Sequence, residues 1–243
     1  MNFTQSHYDY SLFTKRIGVD LVVILVYVDD LLVTGSNILL IQQVRKDLQE
    51  KFKMKDLGEL KYFLGIEFSR SQKGILMCQR KYALELVSEL DLAGGKTTYT
   101  PLEFNHKLTS IEFDQIVGKS DSEDMQLEEK ENYQRLVGRL LYLTMTRPYI
   151  AFVVQVLSQY MHAPKISHME ATKRVVRYIK STPGLGLFMP IGRCNNLVAY
   201  CDSYWGACVE SRKSVTGYVV KFGNVVVSWK SKKQGSVQET QLK

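Results

Sequence analysis

The sequence predicts an α+β fold, and three observations carry that prediction. An apolar run from Leu21 to Val33 is interrupted by two adjacent aspartates, as a β-hairpin with a polar tip would be. Several later stretches repeat apolar residues at spacings of three and four, the period of an amphipathic helix. The last fifty or so residues hold three strand candidates separated by turn-forming residues. The chain has 243 residues, of which 45% are hydrophobic and 11% aromatic, enough for a packed core in one large domain or two small ones.

The elements follow in order. Tyr8 to Phe13 has strand composition, and Lys15-Arg-Ile-Gly18 reads as a turn leading into the hairpin. Ser36 or Asn37 suits the N-cap of a helix whose face is Leu40, Ile41, Val44, Leu48 and Phe52, ending near Lys53. Asp56-Leu-Gly58-Glu turns the chain into a strand over Leu60 to Phe68. Gly65 there predicts a bulge or a close approach by another backbone. Ser69 to Gly74 turns back into the strand Ile75 to Cys78. Gln79 to Leu92 is a second amphipathic helix, with Tyr82, Leu86, Val87 and Leu90 on one face. From Lys96 to Glu131 the periodicity dissolves into a long acid-rich loop, the best internal boundary. Three helices are then expected. They cover Asn132 to Thr146, Pro148 (at a first helical position) to about Met161, and Ser167 to Lys180. Thr182-Pro-Gly-Leu-Gly186 is a turn-rich link. The strands Leu197 to Asp202, Val215 to Phe222 and Val225 to Lys230 follow, the last two joined at Phe222-Gly223-Asn224.

The chemistry of the chain points first to Asp29 and Asp30. Like charges side by side raise each other's pKa, and a divalent cation such as Mg²⁺ removes that cost with hard oxygen ligation. From spacing alone a surface turn that uses Asp remains an equal reading. Lys173, Arg174, Arg177 and Lys180 fall along one side of the last helix, either as a solvated face or as a surface that tracks phosphates. The formal charge of +7 favours polyanionic partners. Cys78, Cys194, Cys201 and Cys208 fit no zinc spacing and are expected as reduced thiols in an intracellular protein. His7, His106, His162 and His168 are scattered, and surface or core positions suit them better than ligand roles. No signal-peptide pattern is expected, and the longest apolar run, Leu21 to Val28, is too short to span a bilayer.

Tyr27-Val28-Asp29-Asp30 on its apolar hairpin resembles the Y-x-D-D box of reverse transcriptases. Gln5-Ser6 with Asp9, Lys55 to Gly65, Gln79-Arg-Lys-Tyr82, Tyr133 to Leu143 and Thr146-Arg-Pro148 resemble copia-type LTR retrotransposon Pol polyproteins in family order. So do His168-Met-Glu-Ala171, Arg177 to Lys180, Thr182-Pro-Gly184, Cys201-Asp-Ser203 and Ser228 to Gln234. The resemblance covers nearly the whole chain. It implies residues 1–95 as part of a reverse-transcriptase palm with the primer-grip hairpin and the start of the thumb. Residues 96–131 would be an acidic linker, 132–182 a helical thumb and connection, and 196–243 a truncated ribonuclease H-like unit of three antiparallel strands.

The family's activity is RNA-directed DNA polymerisation and hydrolysis of RNA in RNA–DNA hybrids. By resemblance Asp29 and Asp30 ligate Mg²⁺ or Mn²⁺, and Tyr27 lies against the primer end. Phe63-Leu64-Gly65 looks like the primer grip, and the four cations of the 167–180 helix contact phosphates. Asp202 matches the first ribonuclease H carboxylate, also a metal ligand. The implied partners are an RNA/DNA template-primer or hybrid and the remaining Pol segments, with no membrane, in the cytoplasm where the family works.

Three departures predict that the isolated chain is inactive. Only the segment just before the box precedes Asp29, so the upstream palm aspartate is absent, and the metals would be weakly bound. Gly235 to Lys243 does not match the family's next ribonuclease H segment, and Glu239 comes too early to serve as its glutamate. Tyr149 and Tyr204 stand where family members usually carry acids. A non-catalytic nucleic-acid binder, or a protein that complements a separate palm chain, is the alternative.

Overall fold

The computed structural model describes residues 2–103, 108–118, 124–192 and 195–235. It holds three antiparallel sheets and six α-helices among those residues, divided between two compact units, Met1–Lys61 and Tyr62–Lys243. His106, Cys194 and the tail that includes Glu239 lie outside the described residues.

The first unit is a meander, β1 (Thr4–Gln5), β2 (Leu12–Ile17), β3 (Asp20–Tyr27) and β4 (Asp30–Gly35), followed by α1 (Ile38–Lys51). Val22 and Ile24, two residues apart on β3, point into one face and are 0% and 5% exposed. Val44 of α1 closes over them, with Phe13, Val26, Leu31, Val33, Leu40 and Leu48 packed around. The Asn37 side chain accepts from the Leu39 N–H at 3.0 Å and caps α1 as expected. Its amide also donates to Asp20 at 3.0 Å, tying the helix start to β3. The helix ends at Lys51, and Phe52 is extended and 58% exposed.

The expected strand over Tyr8 to Phe13 begins only at Leu12 and runs on through Lys15 to Ile17. Ser6 accepts from the Tyr8 and Asp9 N–H groups, and Asp9 accepts from the Ser11 N–H and hydroxyl. These local bonds hold residues 8–10 in a turn. The return to β3 is made at Gly18, whose φ is +60°.

The second unit contains β5 (Tyr62–Phe63), β6 (Ile66–Ser71), β7 (Gly74–Cys78), α2 (Arg80–Glu89), α3 (Ile111–Val117) and α4 (Lys130–Leu143). A 3-10 turn over Pro148–Ile150 leads into α5 (Ala151–Leu157). Then come α6 (Ile166–Ser181), β8 (Gly186–Pro190), β9 (Leu197–Tyr204), β10 (Val215–Phe222) and β11 (Val225–Lys233). One sheet has the order β5-β6-β7-β8 and the other β11-β10-β9. The helical core is built from α2, α4, α5 and α6. Leu86, Tyr133, Val137, Leu140, Leu143, Ile150, Val154, Leu157, Val175, Val176 and Ile179 are all at most 1% exposed. Each such side chain contributes roughly 1.5–3 kcal/mol of burial.

Three sequence expectations are corrected here. The single strand over Leu60 to Phe68 is two strands, because Leu64 and Gly65 both take positive φ (49° and 71°) and make a two-residue hairpin turn. The loop over 96–131 contains α3, capped at one end by the Ser110 hydroxyl and at the other by Gly118 in the left-handed region. The link after Thr182 leads directly into β8, which pairs with β7 across more than a hundred residues. That pairing needs glycine twice. A Cβ on Gly186 would sit 2.1 Å from the Met77 carbonyl oxygen, and one on Gly74 2.1 Å from that of Met189.

Candidate functional site

The sequence places its acids at the tip of the β3–β4 hairpin, and the structure puts them there. Tyr27 pairs with Asp30, leaving Val28 and Asp29 as a two-residue loop. Such loops favour glycine or asparagine because they need positive φ. Here Val28 supplies it at +51°, a conformation that costs a β-branched residue roughly 1–3 kcal/mol. Asp29 and Asp30 are exposed, Tyr27 is half exposed, and Val28 is 82% exposed. Neither carboxylate has a hydrogen-bonding or ionic partner among the described residues. Among those residues no group of three or more carboxylate, histidine or cysteine side chains converges to hold a metal ion. Two hard oxygen donors suit Mg²⁺ or Mn²⁺ in kind, but they do not complete a site for two ions.

The second unit holds the other candidate residues. Phe63, Leu64 and Gly65 form the β5–β6 turn. Its close neighbour is a side chain rather than another backbone. The Tyr142 hydroxyl of α4 donates to the Leu64 carbonyl, and a Cβ on Gly65 would lie 2.9 Å from that hydroxyl oxygen. Tyr142 in turn packs edge-on against Tyr82 of α2, ring centroids 5.3 Å apart, and the Arg139 guanidinium lies 5.0 Å over the Tyr82 ring. The turn is therefore fixed on two helices by an aromatic pair.

The four cations of α6 share a partly exposed side, and all four are engaged. Lys173 pairs with Glu170 at 2.8 Å, and Arg177 reaches the same carboxylate at 3.9 Å. Arg174 pairs with Glu103 at 2.8 Å and bonds Thr100 at 3.1 Å. Lys180 donates to the carbonyls of Leu92, Ala93 and Gly95 at 3.0, 2.6 and 2.6 Å. Its ammonium gathers three carbonyls of the turn that follows α2 and ties that turn to α6. Lys180→Met is expected to lower unfolding stability by about 1–2 kcal/mol in denaturant titrations. A fall in hybrid affinity with unchanged stability would instead make Lys180 a phosphate contact.

Arg147, inside the Thr146-Arg-Pro148 motif, has the same kind of role. It is fully buried, and its Nη2 donates to the Thr182 and Pro183 carbonyls at 2.9 and 2.5 Å, beyond the last turn of α6. Thr146 bonds buried Gln79 at 2.9 Å. Asp202 is exposed on β9, opposite Gly217 of β10. It borders a cleft of about 370 Å³ between the start of α5 and the sheet, walled by Phe152, Tyr200, Tyr204 and Trp229. Tyr149 is partly buried beside Arg147, and Tyr204 is 72% exposed. Cys78, Cys201 and Cys208 are free thiols. No helix among the described residues is long and apolar enough to cross a membrane.

Sequence reasoning missed a polar cluster under the former loop. Lys165, 4% exposed, pairs with Asp114 of α3 at 2.6 Å and with Asp124 at 2.8 Å. His168 is fully buried, accepting from the Lys165 N–H at Nδ1 (3.0 Å) and donating from Nε2 to the Thr109 carbonyl (3.1 Å). It stacks on Tyr160 at 4.0 Å. The signal that was available is the N-terminal turn of α6, where Asp124 caps the Ser167 N–H at 2.9 Å.

Comparison with known proteins decides the family. The profile of the reverse transcriptase (RNA-dependent DNA polymerase) family matches residues 1–104. A putative transposon Ty5-1 protein of Saccharomyces cerevisiae is 31% identical over 235 residues, 96% of this chain and 73% of the yeast protein. The retrovirus-related Pol polyprotein from transposon RE2 of Arabidopsis thaliana is 37% identical over 237 residues, 98% of this chain.

The chain belongs to the copia-type retrotransposon Pol family of reverse transcriptases.

An uncharacterized mitochondrial protein of Arabidopsis thaliana is similar to this reverse-transcriptase-family chain over 85% of its own length, at 33% identity. The chain spans 16% of the RE2 polyprotein. No solved structure matches it.

Proposed function

We propose that this chain supplies the metal-hairpin, primer-grip and thumb portion of a copia-type reverse transcriptase, followed by the opening strands of its ribonuclease H. In this reading residues 1–95 carry the palm hairpin and grip, and 96–131 connect them to the helical thumb at 132–182. Residues 196–243 begin the ribonuclease H-like unit. Asp29 and Asp30 are the polymerase carboxylates, and Asp202 is a ribonuclease H carboxylate. The observation that carries the reading is the Tyr27–Asp30 tip. Its two carboxylates are exposed and unpaired on a strained loop, an arrangement with no structural benefit to the hairpin itself. Tyr27, Phe63, Leu64 and Gly65 are assigned to the template-primer, and Lys173, Arg174 and Arg177 of α6, which are held by acids and not by backbone carbonyls, to its phosphates. The setting is cytoplasmic, as for the family.

Among the described residues no third ligating side chain joins either carboxylate set, so the chain by itself is expected to be inactive in both reactions. A further palm segment supplying another carboxylate is the complementing partner. Primer extension and hybrid cleavage with Mg²⁺ or Mn²⁺ test this. The expected result is no turnover from the chain alone, and extension, lost in Asp29→Asn, when a palm segment carrying a further carboxylate is added. Metal-dependent turnover by the chain alone that Asp29→Asn or Asp202→Asn abolishes would overturn it.

A further inference from the structure

The Leu64–Gly65 turn is bent in a way that its own residues only half favour. Both lie in the left-handed region, with φ of 49° and 71°, as a two-residue hairpin loop requires. Glycine adopts that conformation freely and leucine does not, whereas Asn-Gly would make the same turn without strain. A strained residue persists only where its surroundings hold it. The strands behind the turn need no such holder. β6 pairs with β7 from Glu67 to Ser71, and the Glu67 carboxylate accepts from the Lys81 N–H at the start of α2 at 2.7 Å.

The holder of the turn is Tyr142. Its hydroxyl donates to the carbonyl of the strained Leu64 itself. Its ring edge covers the face of Gly65 where a Cβ would stand, 2.9 Å from the hydroxyl oxygen and 3.2 Å from Cε1. The phenol is set in turn by its neighbours. Tyr82 packs edge-on against it, Arg139 lies over the Tyr82 ring, and Glu89 pairs with Arg139. Tyr142 and Arg139 are three residues apart on α4, so one helix face carries both the clamp and its support.

We infer that Tyr142 is a positioning residue for the primer strand: through its hydroxyl, α4 holds the Leu64–Gly65 turn in the conformation that receives a primer end.

This rests on the assignment of Phe63, Leu64 and Gly65 to the primer. Tyr142 acts through the turn, since its contacts are with the turn's backbone. Losing the hydroxyl frees Leu64 to leave the left-handed region. The primer end then loses a preorganised seat, while phosphate contacts along the duplex persist.

The test compares the affinity of the full chain, in EDTA, for two fluorescent RNA–DNA ligands by anisotropy. One is an RNA template with a recessed DNA primer 3′ end, and the other is the same hybrid closed at that end by a hairpin loop. The expected result is tighter binding to the recessed end. Tyr142→Phe, which keeps the ring, should lower that preference about threefold to tenfold and leave the affinity for the closed hybrid unchanged. Hydrogen exchange at the Leu64, Gly65 and Ile66 amides should quicken in the same variant. Adding Leu64→Asn gives the turn its favoured Asn-Gly pair and should slow that exchange again. Val154→Ala, a cavity at a fully buried position of the helical core, should lower stability without moving the preference or the turn exchange. A turn that exchanges at the wild-type rate in Tyr142→Phe, a loosened turn with the preference unchanged, or an equal loss of preference in Val154→Ala would each overturn the inference and leave the primer assignment standing. A wild-type chain that binds both ligands equally would overturn the primer assignment, and this inference with it. Far-UV circular dichroism equal to that of the wild type checks that Tyr142→Phe folds.

Discussion

Lys165→Met lowers the unfolding stability of the second unit by about 3–4 kcal/mol. The lysine is almost fully buried and its ammonium holds two carboxylates, Asp114 and Asp124. Burial raises the pKa of each acid. The hydrogen bond from Lys165 and those from Thr109 and Ser167, with the lysine's charge, outweigh that effect and hold both below the usual carboxylate range. Methionine fills much the same volume but leaves two partly buried carboxylates facing each other without a cation. Removing one partner of a buried ion pair typically costs about 3–5 kcal/mol. The low end applies, because the two acids keep 20% and 24% of their side-chain exposure. Asp114→Asn leaves Lys165 paired with Asp124 and is expected to cost only about 1 kcal/mol. Trp205 and Trp229, the chain's two tryptophans, both lie in the second unit, so their fluorescence in a urea titration reports the right transition. Equal losses in the two variants would show that the cluster is a screened surface pair.

The stability of the same unit falls as the pH drops from about 6.5 to about 4, by about 3 kcal/mol, through His168 alone. Burial, then the Lys165 charge, pushes this imidazole down to about 4. Its Nδ1 already accepts from the Lys165 N–H and its Nε2 hydrogen is used by Thr109, so a second proton has no place without breaking a bond. The sign follows from linkage. The unfolded chain takes up the proton near 6.5 and the folded one near 4, so the unfolded state binds more protons in between. The contribution is fully present above about 6.5 and lost as pH falls through the folded value. Asp114 and Asp124 act in a lower window, since their folded pKa values lie below 3.8. His168→Asn keeps an acceptor for the Lys165 N–H and should flatten the slope between pH 6.5 and 4. A variant with the same slope would place the titrating group elsewhere. His168 and Lys165 share a bond, so their effects will not add.

The hairpin, α1, α2, α4, the Pro148 start, α6 and the three C-terminal strands were all legible in the sequence, because each is written in a local period or a local cap. Asn37 and the Phe222-Gly223-Asn224 turn were readable for the same reason. Local reading failed where a partner lies far along the chain. Thr182 to Gly186 has the composition of a turn, and only the distant β7 strand makes the residues after it a strand. The 96–131 segment is polar and acid-rich, and its described residues Thr109, Asp114 and Asp124 are held by Lys165, at the N-cap of α6, and by His168 on it. Gly65 was singled out correctly, but its neighbour is Tyr142, 77 positions away.

The same division holds for function. The Tyr-Val-Asp-Asp tip and its placement on a hairpin follow from the sequence alone, because two short apolar runs and the two adjacent acids between them are local facts. The basic side of α6 was legible as charge but not as bonding. Only the tertiary structure shows Lys180 binding the carbonyls of the turn that follows α2 and Arg147 those just after α6, since the place of a carbonyl in space is invisible in a residue list. Likewise, β9 reads as a strand from its composition, but that it pairs with β10 follows only from the strand order of the sheet. Sequence determines what a segment can form; which of its polar groups are already satisfied depends on the chain packed against it.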